Sequence, residues 1–187
     1  MNKTVNVKNI TLVGMGIAIN IIGAFIALGL RLPIYLDSVG TIFIACVLGP
    51  KYAVATGVLG SLVSGMTFDV YSLYFAPVQI STGLLAGIMY NKGFLKGAKT
   101  PLGVFLFTLP TSLISAVIAA FLFGGVTSSG SSYIVQILSH FNVPMVVSVF
   151  ITQVFTDYAD KFLAVVLVGL VVKALPKNFT KELANNR

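Results

Sequence analysis

Apolar residues along the chain are gathered into six segments, which short polar links separate. A helix needs roughly 20 predominantly apolar residues to cross the hydrocarbon core of a membrane. The pattern therefore predicts an all-α integral membrane protein with six transmembrane helices, which form a single transmembrane domain over residues 1–187. The predicted helices span approximately residues 10–30, 38–48, 52–66, 73–90, 102–123 and 144–174.

The second and third segments are short for spanning helices, and a re-entrant hairpin is an alternative. Gly49, Pro50 and Lys51 form the turn between them. A re-entrant hairpin would place the Lys51 ammonium near the middle of the membrane, at a cost of a few kcal/mol. We therefore favour two short or tilted spans that are partly buried among longer helices.

The composition agrees with a membrane protein and gives no sign of catalysis. Hydrophobic residues make up 57% of the chain and charged residues 9%, whereas a typical soluble domain has about 25% charged residues. The single Cys46 cannot form an internal disulfide, and the single His140 cannot hold a metal cluster alone. In GFLKGAKT (93–100), Ala98 replaces the glycine that precedes the lysine of a phosphate-binding loop. We predict no enzyme activity, no ATPase site, no metal and no cofactor in this chain.

The basic residues are concentrated on one side of the predicted topology. Six spans place both termini on the same side, and that side holds ten of the twelve lysines and arginines. The ten are Lys3, Lys8, Lys51, Lys92, Lys96, Lys99, Lys173, Lys177, Lys181 and Arg187. Because basic residues are retained in the cytoplasm, both termini are predicted to be cytoplasmic. The net charge of +7 therefore reflects membrane topology, and we predict no nucleic-acid partner.

Polar and aromatic residues that are distant in sequence meet at the opposite, outer level. Aromatic rings that stack on a flat heterocycle, with amides and carboxylates that bind its edge, are typical of a pocket for a small polar ring compound. The predicted substrate-binding residues are Asp37, Tyr74, Gln79, Asn142, Gln153, Asp157, Asp160 and Lys161.

The charges of the last segment have two interpretations. Counting about 20 residues back from Pro176 puts Asp157 at the outer water line, where Asp157 and Lys161 would form a surface ion pair between residues i and i+4. Residues 144–155 are also apolar, and if the helix continues through them the charges lie below the surface. Polar groups at that depth usually face a cavity or the bundle interior, and we favour this second interpretation.

Small residues recur at four-residue spacing in three of the segments. Such ladders let helices approach closely in lipid. The ladders are Ala53, Gly57, Ser61 and Gly65; Gly83 and Gly87; Gly14 and Ala18; and Gly23 and Ala27. Internal packing explains each ladder, and one of those in the first helix is also a candidate contact with a partner subunit.

Three stretches of the chain resemble one known family. They are LPIYLDSVGTIFIACVLGPKYAVATGVLGSLVSG (32–65), YFAPVQISTGLLAGIMYNKG (74–93) and DKFLAVVLVGLVVKALP (160–176). These stretches are similar to the first outer loop with the second and third helices, to the fourth helix and to the last helix of S components. An S component is the substrate-binding membrane subunit of an energy-coupling factor (ECF) vitamin transporter, and the resemblance is to the riboflavin-transporter-like branch.

The resemblance implies a function and a set of partners. S components bind a vitamin or its precursor with high affinity in an outward pocket, in the bacterial cell membrane. They associate with a membrane T component and two cytoplasmic ATPases, which supply the energy for import. The first helix of the family carries an Ala-x-x-x-Ala motif that faces the T component. The nearest match here is Gly14 to Ala18, and the other candidate is Gly23 to Ala27.

The candidate pocket residues favour a small substrate. The chain has no tryptophan, and tyrosines, amides and a carboxylate–lysine pair suit a smaller polar heterocycle than the tricyclic riboflavin ring. Among the family's substrates, pyridoxine and hydroxymethylpyrimidine fit this description. Asp157 would then accept a hydrogen bond from a ring N–H or hydroxymethyl group, Lys161 would face a phenolate, and Tyr74 would stack on the ring.

A self-sufficient secondary transporter or facilitator for a small polar solute is the alternative function. It needs a gated path through the chain, whereas the acidic residues gather at the outer level. Inverted repeats, which are common in secondary transporters, are not visible. A membrane enzyme is a third class, for which the chain lacks a catalytic set.

Overall fold

The structure, a computed structural model, describes residues 7–176 and is helical over most of that range. The helices are α1 (Val7–Gly29), α2 (Val39–Val47), α3 (Pro50–Thr67), α4 (Tyr71–Tyr74), α5 (Ala76–Asn91), α6 (Thr100–Phe123), α7 (Ser131–His140) and α8 (Met145–Ala174). A short 3-10 helix, Gly97–Lys99, leads into α6. The prediction of an all-α protein is confirmed for these residues. Lys3, Lys177, Lys181 and Arg187, which entered the topology prediction, lie outside them.

Six of these helices coincide with the predicted apolar segments. The pattern predicted no separate helix at α4, which overlaps the start of the fourth segment (73–90), or at α7, which lies in the link before the last segment. Two stretches, Val7–Gly29 and Gly97–Phe123, are long and apolar enough to cross a membrane by length and composition. The 30-residue α8 is long enough but carries Asp157, Asp160 and Lys161 in its middle. The count of six spans and the side of the termini remain predictions.

The short α2 is the centre of the bundle. It packs against α1, α3, α5 and α8, and all of its residues except Val39 are buried. A helix of nine residues can occupy this position although it is too short to span a membrane, because the surrounding helices enclose it and it does not contact lipid along its length. Around it, α3 packs along α5 and α6 packs along α8.

Glycines set the close helix crossings around α2. A Cβ on Gly40 of α2 would collide with the carbonyl oxygen of Gly16 in α1. A Cβ on Gly83 of α5 would lie 2.8 Å from the Ala53 backbone in α3, and one on Gly57 would lie 2.9 Å from the Cβ of Gln79. The small-residue ladders of α3 and α5 therefore pack on each other, as the internal interpretation of these ladders expects.

Asn20 of α1 caps the start of α2 from a different helix. The first N–H groups of a helix have no partner within it, and the N-cap residue Ser38 makes no side-chain capping bond. Instead, Oδ1 of Asn20 accepts from the N–H groups of Gly40 (2.8 Å) and Thr41 (3.2 Å), and its Nδ2 donates to Thr41 Oγ1 (2.8 Å). Asn20 is 2% exposed.

Replacing Asn20 with leucine is expected to lower the free energy of unfolding by about 1–3 kcal/mol, since it leaves buried N–H groups without an acceptor. Chemical unfolding of the purified protein in mixed micelles measures this. Asn9→Leu is the matched control on the same helix, because buried Asn9 makes one long bond to the Tyr52 hydroxyl (3.3 Å) and its Oδ1 has no partner. Equal losses in the two variants would contradict the capping role of Asn20.

Candidate functional site

A narrow cavity lies at one end of the bundle, where the α1–α2 link, α4 and the α6–α7 link meet. We call this the outer end, following the topology prediction. The cavity encloses about 450 Å³ between its walls, including its opening to solvent, and its free space holds about two water molecules. This free space is far smaller than that of pockets that hold small organic ligands, about 300–1,000 Å³. A ring compound would therefore have to displace water and move some wall side chains.

One side of the cavity is aromatic. Tyr35 of the α1–α2 link, Tyr71 of α4 and Phe75, between α4 and α5, line it. The ring of Phe75 lies 6.5 Å from that of Tyr35 and stacks at 6.3 Å on Phe123, whose ring also contacts Tyr71 edge-on at 4.8 Å. These contacts join the α1–α2 link, the region of α4 and the end of α6 into one aromatic wall, which offers flat faces for stacking.

Asp160 of α8 holds the α1–α2 link in place. The carboxylate accepts hydrogen bonds from Leu36 N (2.8 Å) and Ser38 Oγ (3.3 Å) and pairs with Lys161 Nζ (3.1 Å). Leu36 has a φ of 52°, a left-handed conformation that costs a non-glycine residue about 1–3 kcal/mol unless its surroundings impose it. Asp160 is 0% exposed, and each of its oxygens accepts a hydrogen bond from this link, Oδ1 from Leu36 N and Oδ2 from Ser38 Oγ.

Asp157, one helical turn before Lys161, is less completely paired. Its Oδ1 lies 3.8 Å from Lys161 Nζ, and its Oδ2 has no hydrogen-bond partner among the residues that the structure describes, although Asp157 is 1% exposed. The Ser112 hydroxyl of α6 lies beside this carboxylate, but its hydrogen bond goes to the main-chain oxygen of Gln153 (3.5 Å). Since a buried carboxylate oxygen without a donor is costly, Asp157 is suited to accept a hydrogen bond from a ligand.

Gln79 of α5 joins the cavity to the interior of the bundle. Its Nε2 donates to the main-chain oxygen of Asp37 (3.1 Å), and its Oε1 accepts from Thr41 Oγ1 (3.0 Å). Thr41 in turn receives a hydrogen bond from Asn20. The Gln79 amide is thus held in one orientation and fixes the position of Asp37 at the cavity wall.

Burial raises the pKa of both titratable residues that the α1–α2 link contributes to the cavity, Asp37 and Tyr35. Desolvation raises the pKa of the Asp37 carboxyl to about 6, partly opposed by the attraction of Lys161 and reinforced by repulsion from Asp160. The accessible surface that Asp37 retains faces the narrow cavity, so the group is poorly hydrated. Desolvation, reinforced by Asp157, also raises the pKa of Tyr35, which keeps its hydroxyl protonated.

Replacing Asp37 with asparagine is expected to stabilise the unliganded protein at neutral pH. The pKa of Asp37 is 3.8 when unperturbed and about 6 here, so between these values the folded state binds more protons than the unfolded state. The stability therefore falls as the pH rises through this window. Melting temperatures of wild type and Asp37→Asn, compared at neutral pH and at about pH 4, should differ at neutral pH and converge in acid. Asp69→Asn, the same change in another cavity carboxylate, is the control. If the difference in melting temperature between wild type and Asp37→Asn stayed constant across the pH range, it would contradict the raised pKa of Asp37.

The structure brings some of the predicted substrate-binding residues together and separates others. Four of them line the cavity, namely Asp37, Gln79, Asp157 and Lys161. Asp160 lies behind this wall. Gln153 lies beside it, where its amide contacts the Tyr35 hydroxyl (3.4 Å). Tyr74 is half exposed and packs edge-on against Phe123, and the exposed Asn142 lies between α7 and α8, so neither lines the cavity.

The cavity also contains residues that were not among the predicted substrate-binding residues. Phe75 carries no polar group and is indistinguishable in sequence from the other apolar residues of its segment. Asp69 and Tyr71 belong to the outer polar level but could not be separated from interfacial residues. Ser115 was missed because α6 was treated as uniformly apolar. The hydroxyl residues of α6 fall on one buried face, at Thr108, Thr111, Ser112 and Ser115. This helical spacing was the sequence signal that could have identified Ser115.

The two small-residue pairs of α1 lie in different environments. A Cβ on Gly23 would collide with the carbonyl oxygen of Leu36, and Ala27 is buried. By contrast, a Cβ on Gly14 has no neighbour within 4 Å, and Ala18 is exposed. Of the two candidate partner contacts, Gly14 and Ala18 are the pair that residues 7–176 leave uncovered.

Comparison with known protein families identifies a match over most of this chain. A family model described as "ECF transporter, substrate-specific component" matches residues 8–181, almost the whole chain. Searches of curated proteins and of solved structures found no significant match.

Proposed function

Because the chain belongs to the family of ECF transporter substrate-specific components, we propose that it is the high-affinity binding subunit of an ATP-driven importer for a small water-soluble vitamin or vitamin precursor. Members of this family are embedded in the membrane and act with ECF T and ATPase components. For this chain, the proposed partners are a membrane T component and two cytoplasmic ATPases, and the proposed location is the bacterial cell membrane.

The unsatisfied Asp157 carboxylate in the outer cavity is the observation that carries this proposal. The group is almost fully buried within the bundle, and one oxygen has no donor. It lines the same cavity as the rings of Tyr35, Tyr71 and Phe75. A buried acceptor beside flat aromatic faces is the arrangement that binds a small polar ring compound.

Pyridoxine and hydroxymethylpyrimidine are the proposed ligands. Each is a flat ring with polar substituents, and each has a hydroxymethyl group that can donate to Asp157 Oδ2. Because Tyr74 lies outside the cavity, the stacking role predicted for it passes to Tyr71 or Phe75, on which the ligand ring would stack instead. Lys161 stays within reach of a phenolate, although Asp160 is its nearest partner.

Uptake measurements with and without the partner subunits test the proposed function. Cells that express this chain with a T component and the two ATPases should accumulate labelled pyridoxine or hydroxymethylpyrimidine. Uptake should disappear when the ATPases carry inactivating substitutions. Liposomes that contain this chain alone should bind the vitamin without transporting it, and transport by the chain alone would instead support a secondary transporter or facilitator.

A further inference from the structure

The charge of the cavity wall is opposite to that of the whole chain. Asp37, Asp69 and Asp157 line the cavity together with one cation, Lys161, which gives the wall a formal net charge of −2. The carboxylate of Asp160 lies directly behind it. The chain as a whole has a net charge of +7, so the negative wall is a local feature of the site.

Lys161 does not neutralise Asp157 well. Its Nζ lies 3.1 Å from Asp160 Oδ2 and 3.8 Å from Asp157 Oδ1, and the shorter distance belongs to the carboxylate that fixes the α1–α2 link. The ammonium is therefore largely engaged in a structural contact. Asp157 keeps one oxygen without a donor inside the cavity wall.

Several of the protein's own donors at the cavity are already in use. The Gln79 amide donates to Asp37 O, and the Ser72 hydroxyl donates to Asp69 Oδ2 (2.9 Å). The other lining hydroxyls, such as those of Tyr71 and Ser115, can accept hydrogen bonds as well as donate them. A ligand that brings donors meets free acceptors here, whereas an anionic ligand meets like charges.

The aromatic wall also favours a ligand that carries a positive charge. The faces of tyrosine and phenylalanine rings attract cations, an effect that strengthens when the cation is removed from water. Opposite charges also attract more strongly in a poorly hydrated cavity than in water. Tyr71 and Phe75 border the same space as Asp157, so both effects act on one ligand.

From these observations, and resting on the proposed function, we infer that this cavity selects a heterocycle that carries a positive charge at neutral pH, as a protonated amine or ring nitrogen whose N–H donates to Asp157 Oδ2. The wall excludes anionic compounds of the same size. This goes beyond the proposed ligands, because it predicts that their aminomethyl counterparts bind more tightly than the hydroxymethyl compounds themselves.

Binding of compounds that share a ring but differ in charge tests the inference. Pyridoxamine, pyridoxine and 4-pyridoxate differ at one ring substituent, which is a protonated aminomethyl, a neutral hydroxymethyl and a carboxylate group respectively. The 5-aminomethyl and 5-hydroxymethyl forms of 4-amino-2-methylpyrimidine are a second pair. The affinity of the purified protein in nanodiscs for each compound should rank the amine above the alcohol, and 4-pyridoxate should not bind. A preference for the alcohol or for 4-pyridoxate would overturn the inference and leave the proposed function intact.

Measuring the Asp157→Asn variant with the same compounds gives a thermodynamic cycle of one protein change and one ligand change. The variant should lose about tenfold or more of its affinity for an amine, equivalent to about 1.4 kcal/mol, and much less for the matching alcohol. A purely structural effect of the substitution would weaken both compounds equally, so equal losses would overturn the inference. If none of the five compounds binds, the compound that co-purifies with the protein decides: a cation supports the inference, and an uncharged or anionic compound overturns it. With no bound compound of any kind, both the inference and the proposed function fail.

Discussion

Replacing Lys161 with methionine is expected to destabilise the protein by about 3–5 kcal/mol, the cost of removing one partner from a buried ion pair. Lys161 is 2% exposed, and its ammonium contacts both Asp160 and Asp157. Methionine has a similar length, so the change removes the charge while largely preserving the packing. Chemical unfolding in mixed micelles should show the loss.

The matched variants separate charge from packing. Lys173→Met removes an exposed lysine from the C-terminal end of the same helix, where substitutions usually change stability by less than about 0.5 kcal/mol. The double variant Lys161→Met/Asp160→Asn should recover part of the loss, because asparagine removes one of the unpaired carboxylates and can still accept from Leu36 N. Additive losses in the double variant, or a loss below about 1 kcal/mol for Lys161→Met alone, would show that the cluster is not a coupled buried network.

Replacing Gly14 with phenylalanine is expected to leave folding and ligand binding intact and to reduce uptake by about tenfold or more, equivalent to about 1.4 kcal/mol of lost contact energy. A side chain at Gly14 meets open space within the part of the chain that the structure describes, so we expect the new ring to collide with the partner subunit and not with this bundle. Co-purification with the T component and uptake by the complete transporter measure the effect. Ala18→Phe, one turn further along the same face, should behave in the same way.

Two controls define the face of α1 that is involved. Leu113→Phe places the same phenylalanine side chain at an exposed position of α6, a helix that makes no extensive contact with α1, and should leave uptake unchanged. Gly23→Phe should prevent folding, because its Cβ would collide with Leu36 O. Normal uptake by both Gly14→Phe and Ala18→Phe would remove this face of α1 from the coupling role.

The sequence predicted the helices better than it predicted the cavity, for physical reasons. Runs of apolar residues between polar links are local signals, so the positions of helices such as α1, α6 and α8 could be predicted. The alternative that Asp157 and Lys161 form a surface pair arose from counting 20 residues back from Pro176. The structure continues α8 to Met145, so both side chains are buried in the middle of the helix.

Side-chain partners, by contrast, depend on contacts between distant parts of the chain. Asp157 and Asp160 are three residues apart on one helix, and composition gives no reason to separate them. The α1–α2 link binds Asp160 through Leu36 N, whereas Asp157 lines the cavity and has one oxygen without a donor among the described residues. Tyr71 and Tyr74 are likewise equivalent in the sequence, and both pack edge-on against Phe123, yet Tyr71 lines the cavity and Tyr74 does not.

Native mass spectrometry is the most direct test of the claim that this chain is a high-affinity binding subunit. The protein should be expressed without its partners in cells grown on rich medium and purified gently in detergent. The account predicts a one-to-one adduct whose mass identifies a vitamin or vitamin precursor, and which is reduced or absent in Asp157→Asn. Wild-type protein that carries no adduct, and that no added vitamin stabilises, would contradict the account.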